Sequence, residues 1–259
     1  MTARKPAKTA KSVGQRALLV MAKQPVAGRA KTRLVPPLTG ESAAALYHCF
    51  LRDVLATVRA AARLASFTPV VAYTPAAACD FFRSLAPDFK LIPQQSGHRA
   101  GAADSSHRCP ASSQLGDRLQ NVLSTALRQG HRQVVAINSD SPTLPAEFLR
   151  AAFQCLEDPQ VDAVFGPCAD GGYYLIGVKK APGRLVTAVE MSTPTVLQDT
   201  LAIAAEEELR VELLPEWYDV DSANDLERLR IELDAHPQRA SASNRFFNET
   251  WPSMSSFRP

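Results

Sequence analysis

Four cationic residues crowd the loop that follows the first apolar run of the sequence. They are Lys23, Arg29, Lys31 and Arg33, which lie within eleven positions around Gly28. Glycine lets a ligand approach the backbone closely, and backbone N–H groups with lysine and arginine side chains neutralise phosphate oxygens. The loop matches neither the Walker A pattern nor the G-x-G-x-x-G pattern. It indicates phosphate binding of another type, with a solvated basic loop as the alternative.

A carboxylate follows another apolar run, at 133–137. Asp140 lies in the segment Asn-Ser-Asp-Ser-Pro-Thr-Leu-Pro, directly after that run. Magnesium and manganese ions prefer oxygen ligands, and they usually need only one or two protein carboxylates when phosphate supplies other oxygens. Asp140 is therefore a candidate cation ligand, and an N-cap or turn residue is the alternative interpretation.

Two later segments are also acidic. Asp170 precedes a double glycine, which either brings a ligand close to the backbone or forms an ordinary hairpin turn. The segment Asp-Val-Asp-Ser at 219–222 precedes the last predicted helix. One of its carboxylates could join Asp140 as a second cation ligand, although for Asp219 the stronger interpretation is a favourable charge at the helix N-terminus.

Apolar periodicity predicts the elements that position these loops. Short apolar runs alternate with segments of helical periodicity over residues 17–235. This alternation predicts an α/β fold, a three-layer α/β/α sandwich with a mainly parallel sheet. Ligands bind beyond the carboxyl ends of the strands in such sheets. We therefore expect the loops after Ala22 and Ile137 to form the site.

The predicted elements have the following bounds. Strands are expected at 17–22, 69–73, 90–92, 133–137, 161–165, 173–178 and 211–214. Helices are expected at 41–64, 75–86, 114–129, 145–156, 193–208 and 222–234, the last opened by a capping-box sequence.

Three segments fall outside this alternation. Residues 1–16 carry five cations and no acid, so we expect a disordered basic tail. Residues 96–113 are rich in Ser, Ala, Gly and His, which predicts a flexible insertion. Residues 236–259 predict a poorly ordered C-terminal tail, although its aromatic residues could dock on a partner or on the body. The single folded domain is accordingly expected over 17–235.

The charge distribution argues against several kinds of partner. The 259 residues include 29 Lys and Arg and 26 Asp and Glu, for a net charge of +3. The two ends contribute +5 and +2, so residues 17–235 carry −4, which is not typical of a nucleic-acid-binding protein. No apolar run reaches the roughly 18 residues of a membrane span, and the five cysteines include no C-x-x-C pair. We expect a cytoplasmic, soluble protein with no nucleic-acid or membrane partner.

Taken together, the order of the segments resembles a known family. The segments are Lys-x-Pro-x-x-Gly-x-x-Lys-Thr-Arg-Leu, Ser-Asp-Ser-Pro-Thr-Leu-Pro, Asp-Gly-Gly-Tyr-Tyr-Leu-Ile-Gly and Asp-Val-Asp-Ser-x-x-Asp-Leu. They resemble bacterial GT-A-type glycosyltransferases of the nucleotide-diphospho-sugar transferase superfamily, a family associated with radical-SAM, selenoprotein and arsenosugar gene neighbourhoods. The resemblance covers about residues 17–234, and Gln-Leu-Gly-Asp-Arg-Leu at 114–119 is similar to the family's segment after the third strand.

This resemblance implies a metal-dependent glycosyltransferase, which moves a sugar from a nucleoside-diphosphate sugar to a small-molecule acceptor. It implies Mg²⁺ or Mn²⁺ at Asp140, with Asp221 as the second ligand, and a catalytic place for Asp170 on the acceptor side as general base. The residues implied to contact the nucleotide and its phosphates are Lys23, Gly28, Lys31, Arg33 and Gly116. Those implied to line the substrate pocket are Ser139, Ser141, Gly171 and Gly172.

Two departures from the family leave the substrates open. The 96–113 insertion interrupts a usually short connection, and Met191 stands where the family usually has Trp before Ser-Thr. One alternative is a guanylyltransferase-like nucleotidyltransferase, which joins a nucleoside triphosphate to a phosphorylated acceptor and releases pyrophosphate. Another is a binding protein without catalytic activity.

Overall fold

The computed structural model of the protein describes residues 15–95 and 111–250, with the side chains of 111–114 excepted. The predicted basic tail up to residue 14, the predicted insertion over 96–110 and the C-terminal residues 251–259 lie outside the described residues.

A seven-stranded sheet forms the centre of the described chain, with the strand order β3-β2-β1-β4-β6-β5-β7. Its strands are β1 (Arg16–Lys23), β2 (Thr68–Thr74), β3 (Lys90–Pro93), β4 (Gln133–Ile137), β5 (Ala163–Pro167), β6 (Tyr173–Val178) and β7 (Val211–Leu213). Neighbouring strands pair in parallel, except that β6 is antiparallel to β4 and β5. The predicted α/β class with a mainly parallel sheet is confirmed.

Helices cover both faces of this sheet. They are α1 (Gly40–Leu64), α2 (Cys79–Leu85), α3 (Ala111–Arg128), α4 (Ala146–Glu157), α5 (Arg184–Thr187), α6 (Val196–Glu206), α7 (Ala223–Ala235) and α8 (Ser241–Thr250). Helices α1, α2, α4, α7 and α8 bury apolar side chains in one core, and α3, α5 and α6 in a second core across the sheet. Strand β1 contributes side chains to both cores, because successive side chains of a strand point to opposite faces of the sheet. Leu18 and Val20 lie in the first core, and Leu19 lies in the second.

Helix α1 illustrates how local sequence sets an element. The Thr39 hydroxyl accepts a hydrogen bond from the backbone N–H of Ser42, which caps the first turn. Leu46, Phe50 and Val54 recur every four residues and are buried against the sheet. The predicted helix at 41–64 is therefore confirmed almost to the residue.

Several element boundaries differ from the prediction. Pro145 has an extended backbone and immediately precedes α4, and Thr195 is the N-cap of α6, so this helix begins three residues later than expected. Helix α3 starts at Ala111, which assigns the last residues of the predicted insertion to a helix. The four-residue helix α5 was not predicted, because it is too short for a periodic signal.

The C-terminal segment is folded as far as Thr250, which corrects the expectation of a poorly ordered tail from 236. A 3₁₀ turn over Pro237–Ala240 leads into α8, whose Phe246 and Phe247 are buried in the first core. Asp53 of α1 accepts hydrogen bonds from the backbone N–H groups of Ala242 and Ser243, both at 2.8 Å. It also accepts one from the Ser243 hydroxyl at 2.7 Å. A carboxylate 189 positions earlier in the chain thus caps α8.

Replacing Asp53 with alanine should destabilise the protein, because the first turn of α8 loses its acceptor. Burial raises the pKa of the Asp53 carboxyl, so its hydrogen bonds only partly compensate for desolvation. We expect a loss of about 1–3 kcal/mol in the free energy of unfolding, measured in urea. The control is Asp80→Ala: Asp80 is 92% exposed and pairs with Arg83 one turn away, so its removal should change stability by at most about 0.5 kcal/mol. Equal stability of the two variants would contradict the capping role.

None of the helices in the described ranges combines the length and the apolar character that a bilayer span requires.

Candidate active site

Four segments meet at one edge of the sheet. The loops after β1 and β4 lie side by side because these strands are parallel neighbours, with Val20 paired to Ile137. The turn between β5 and β6 and the segment after β7 reach the same edge, since β5 pairs in parallel with β7 and antiparallel with β6. The backbone carbonyl of Asp140 accepts a hydrogen bond from the N–H of Val220 at 2.9 Å. This bond joins the two acidic segments directly.

Two adjoining cavities open at this edge. The cationic cavity, of about 310 Å³, is lined mainly by Lys23, Arg29, Lys31, Thr32, Arg33 and Tyr47. The acidic cavity, of about 380 Å³, holds Asp140, Asp170, Asp219 and Asp221 with an apolar wall that includes Leu119 and Met191. Arg33, Asp140, Ser192 and Asp221 line both cavities. A larger cavity of about 620 Å³ lies between α1 and α8, away from these residues.

Lys31 occupies the boundary between the two cavities. Its ammonium lies 2.5 Å from Asp140 Oδ1, 2.7 Å from Asp221 Oδ1 and 2.8 Å from the carbonyl oxygen of Val220. The side chain is only 5% exposed. Burial by itself lowers the pKa of the ammonium, but the charges of Asp140 and Asp221 outweigh it and raise the pKa above its ordinary value. The Lys31 side chain is therefore charged. The backbone of Lys31 has the left-handed conformation (φ 50°) that non-glycine residues rarely adopt.

The other predicted cations are placed differently. Arg33 is 76% exposed, with Nη1 4.0 Å from Asp221 Oδ2. Lys23 donates through Nζ to the carbonyl of Arg29 at 2.7 Å, a contact that closes the loop on itself. Both side chains line the cationic cavity, so the positive charges of the loop converge as the sequence predicts.

Asp219 is the acidic residue that sequence reasoning assigned to the helix end. The N-cap of α7 is instead Ser222, which forms a capping box with Asp225. Asp219 accepts hydrogen bonds from Asn138 Nδ2 at 2.7 Å and from the Ser141 hydroxyl at 2.6 Å, and it lines the acidic cavity. Burial, with the nearby charge of Asp140, raises the pKa of Asp219 to about 6. The sequence signal that could have indicated this place for Asp219 is the pair Asp-x-Asp at 219–221, whose two carboxylates both line the acidic cavity but have different partners.

A chain of hydrogen bonds on the buried side supports the loop after β4, which carries Asp140. The backbone N–H of Lys23 donates to the Tyr47 hydroxyl at 3.1 Å, and Tyr47 Oη lies 2.7 Å from Ser139 Oγ. Ser139 in turn donates to the carbonyl of Met21 at 2.8 Å. Ser139 and Ser141 are buried beneath the cavities and do not line them, which corrects their predicted place in the substrate pocket. They hold the loop that carries Asp140 and Asp219.

The two glycines after Asp170 have different roles: Gly172 lines the acidic cavity, and Gly171 does not, which corrects the predicted place of Gly171 in the substrate pocket. The N–H of Gly172 donates to Asp170 Oδ1 at 2.9 Å, so Asp170 closes the turn and also lines the cavity. Gly171 has φ +88°, and a Cβ there would lie 1.8 Å from the carbonyl oxygen of Pro194. Gly171 thus permits the close approach of two backbone segments, while Gly172 faces the cavity.

The remaining two predicted glycines do not line either cavity. Gly28 has φ +70° in an exposed turn of the cationic loop. Gly116 is buried in α3, where a Cβ would lie 2.1 Å from the carbonyl oxygen of Val186 in α5. A glycine is required at position 116 because α3 packs closely against α5 there. This role corrects the predicted contact of Gly116 with the nucleotide.

The carboxylates fit a hard divalent cation. Asp140 and Asp221 converge on a single point, and their donor atoms are all oxygen, the type that Mg²⁺ and Mn²⁺ prefer. With Asp219, the cluster carries three carboxyl groups against the Lys31 ammonium and the Arg33 guanidinium, so negative charge is in excess and would favour a cation. Within the described ranges no three His, Cys, Asp or Glu side chains form a metal-holding group, so phosphate or water oxygens would complete the coordination.

The fold and the site define the class of protein. The α/β fold with its mainly parallel seven-stranded sheet matches nucleotide-diphospho-sugar transferase folds. The sequence profile of a family described as "uncharacterized protein conserved in bacteria (DUF2064)" matches residues 57–193, more than half of the chain, and the protein belongs to this family. No curated protein matches the sequence.

Solved structures have the same fold. A candidate nucleotide-diphospho-sugar transferase from Desulfovibrio desulfuricans G20 is 27% identical, with a TM-score of 0.78 over 94% of this chain and 98% of that one. The 4-diphosphocytidyl-2C-methyl-D-erythritolsynthase of Anaerococcus prevotii DSM 20548 is 11% identical, with a TM-score of 0.52 over 85% of this chain and 96% of that one. The second likeness shows the fold alone.

Proposed function

We propose that this protein is a divalent-cation-dependent glycosyltransferase, which moves a sugar from a nucleoside-diphosphate sugar to a small-molecule acceptor. The observation that carries the proposal is the boundary between the cavities, where Asp140 and Asp221 face the cationic loop on one side and the acidic cavity on the other. This pairing of lysine and arginine with carboxylates suits a diphosphate that carries a cation on its oxygens. The likeness to the Desulfovibrio desulfuricans G20 protein supports the same class of donor.

The cationic cavity is proposed to bind the diphosphate of the donor. Transfer breaks the bond between the anomeric carbon and the phosphate oxygen, and negative charge develops on the departing diphosphate. Arg29 and Arg33 line the cavity and can donate to those oxygens as the charge develops. Asp140 and Asp221 would hold a divalent cation, which would supply Lewis-acid stabilisation of the same oxygens. Phosphate binding is thus assigned to the side-chain cations of the loop.

The acidic cavity is proposed to bind the sugar and the acceptor. Its volume suits a small molecule, and its wall combines four carboxyl groups with apolar side chains such as Leu119 and Met191. Asp170 is proposed to accept the proton of the acceptor hydroxyl as that oxygen attacks the anomeric carbon. The hydrogen bond from Gly172 fixes the Asp170 carboxylate in place for this role.

Donor screening tests the proposal against the nucleotidyltransferase alternative. We expect nucleoside-diphosphate sugars with Mn²⁺ to raise the melting temperature more than nucleoside triphosphates with Mn²⁺. A ligand at a hundred times its dissociation constant stabilises the fold by about 2.7 kcal/mol, a shift of several degrees for a chain of this size. The control is the same panel in EDTA, where the shift should disappear. A larger shift with a triphosphate would favour nucleotidyl transfer.

A further inference from the structure

Protein oxygens surround the ammonium of Lys31. A lysine ammonium carries three N–H bonds. In this structure the ammonium donates hydrogen bonds to Asp221 Oδ1 and the carbonyl oxygen of Val220, at 2.7 and 2.8 Å, and it forms an ion pair with Asp140 Oδ1 at 2.5 Å. Lys31 is therefore held on the carboxylate pair, and a phosphate in the cationic cavity can receive its hydrogen bonds only if these contacts break.

We propose that the Lys31 ammonium occupies the divalent-cation site when no cation is bound. When a cation binds, the ammonium leaves Asp140 and Asp221 and contacts the donor diphosphate. This inference rests on the proposed function, because it uses the same carboxylate pair. It adds a competition: the ammonium and the divalent cation exclude each other from one position.

Charge and space support this exchange. Two cations cannot share the same carboxylate oxygens at contact distance, because like charges repel strongly in a partly buried site. The lysine stem is a flexible four-carbon chain, and the cationic cavity beside it has about 310 Å³ of space. Once Asp140 and Asp221 are occupied, a diphosphate held by Arg29 and Arg33 in the cationic cavity would offer Lys31 a new partner of opposite charge.

The exchange couples the two ligands. A cation that must displace Lys31 binds weakly by itself, because only the fraction of molecules with free carboxylates can accept it. A diphosphate offers the displaced ammonium a new partner, and so favours the state that binds the cation. Cation and nucleoside diphosphate should therefore each tighten the binding of the other by the same factor.

Removal of the ammonium provides the first test. Mn²⁺ binding is measured by calorimetry, without nucleotide, on the full-length protein and on Lys31→Met. We expect about tenfold or tighter Mn²⁺ binding by Lys31→Met, because the internal competitor is gone. Lys23→Met is the control: it removes one positive charge from the same cavity, but its ammonium contacts the carbonyl of Arg29, so it should change Mn²⁺ affinity much less.

The outcomes separate the inference from the proposed function. Equal or weaker Mn²⁺ binding by Lys31→Met, with Mn²⁺ bound by the unmodified protein, overturns the inference and leaves the cation site standing. Equal tightening by Lys31→Met and Lys23→Met also overturns it, because the effect is then one of general charge. No Mn²⁺ binding by any of the three proteins, with or without UDP or GDP, overturns both the cation site and the inference.

A second measurement needs no substitution. Acetylation of lysine amines by acetic anhydride is followed by mass spectrometry on the unmodified protein, with and without saturating Mn²⁺. We expect Mn²⁺ to increase the acetylation of Lys31 several-fold, because the displaced ammonium becomes accessible. Lys179, which donates to the carbonyls of Asp158 and Pro159, should not change. Unchanged acetylation of Lys31 at saturating Mn²⁺ overturns the proposal.

Discussion

Asp140→Asn should remove cation-dependent donor binding and slow turnover by about 10²–10³-fold or more, while the protein stays folded. Asparagine keeps the shape of the side chain but loses the negative charge that holds a divalent cation. The fold should tolerate this change, because the Asp140 side chain is 34% exposed and its backbone hydrogen bond with Val220 is unaffected. Calorimetric titration of a nucleoside-diphosphate sugar with Mn²⁺ measures the effect.

The control for Asp140→Asn is Asp80→Asn. Both substitutions remove one carboxylate charge, but Asp80 lies on α2, outside both cavities. Asp80→Asn should bind the donor as the unmodified protein does. Unchanged donor affinity in Asp140→Asn, measured beside this control, would contradict the assignment of Asp140 to the cation.

Gly171→Ala should cost about 3 kcal/mol or more of unfolding free energy, which makes it the largest expected effect on stability. Its Cβ would lie 1.8 Å from the carbonyl oxygen of Pro194, and backbone atoms cannot move aside as a flexible side chain can. The Gly171 carbonyl also accepts a hydrogen bond from the N–H of Leu197 in α6 at 3.1 Å. Relief of the clash would therefore displace the start of α6 together with the turn that carries Asp170.

Gly130→Ala separates this clash from the cost of a positive φ. Gly130 has φ +97°, close to that of Gly171, but a Cβ there meets nothing within 4 Å. It should cost only about 1–2 kcal/mol, the penalty of a left-handed backbone for alanine. Urea unfolding of both variants measures the difference. Equal losses of unfolding free energy in the two variants would show that the backbone at Gly171 shifts to make room for a Cβ, and that the contact with Pro194 is not tight.

Local sequence signals predict most of the sheet. Strands β4 and β6 have the predicted bounds, because short apolar runs flanked by polar residues mark buried strands without help from distant contacts. Helix α8 was missed, since it is stabilised by aromatic side chains in a polar segment and by Asp53, a cap 189 positions away. Nothing within residues 241–250 reveals that cap.

Site residues were predictable by type more readily than by role. Asp140 and Asp221 follow from carboxylates placed after strands, but their common contact with Lys31 joins positions up to 190 residues apart. Gly116 shows the limit of a motif, because a glycine required for helix packing and one required for ligand approach look alike in sequence. Ser139 and Ser141 likewise stand beside Asp140 in the chain, and yet they support it from the buried side.

The most direct test of the function is to identify which bond of the nucleotide substrate the protein breaks. Phosphorus NMR is recorded on the protein with Mg²⁺ and, in separate samples, each nucleoside-diphosphate sugar and each nucleoside triphosphate of the screening panel. We predict that nucleoside diphosphate is released from a nucleoside-diphosphate sugar, slowly with water as acceptor, and that EDTA or Asp140→Asn stops the release. Release of pyrophosphate from a triphosphate, with every nucleoside-diphosphate sugar left intact, would contradict glycosyl transfer at this site.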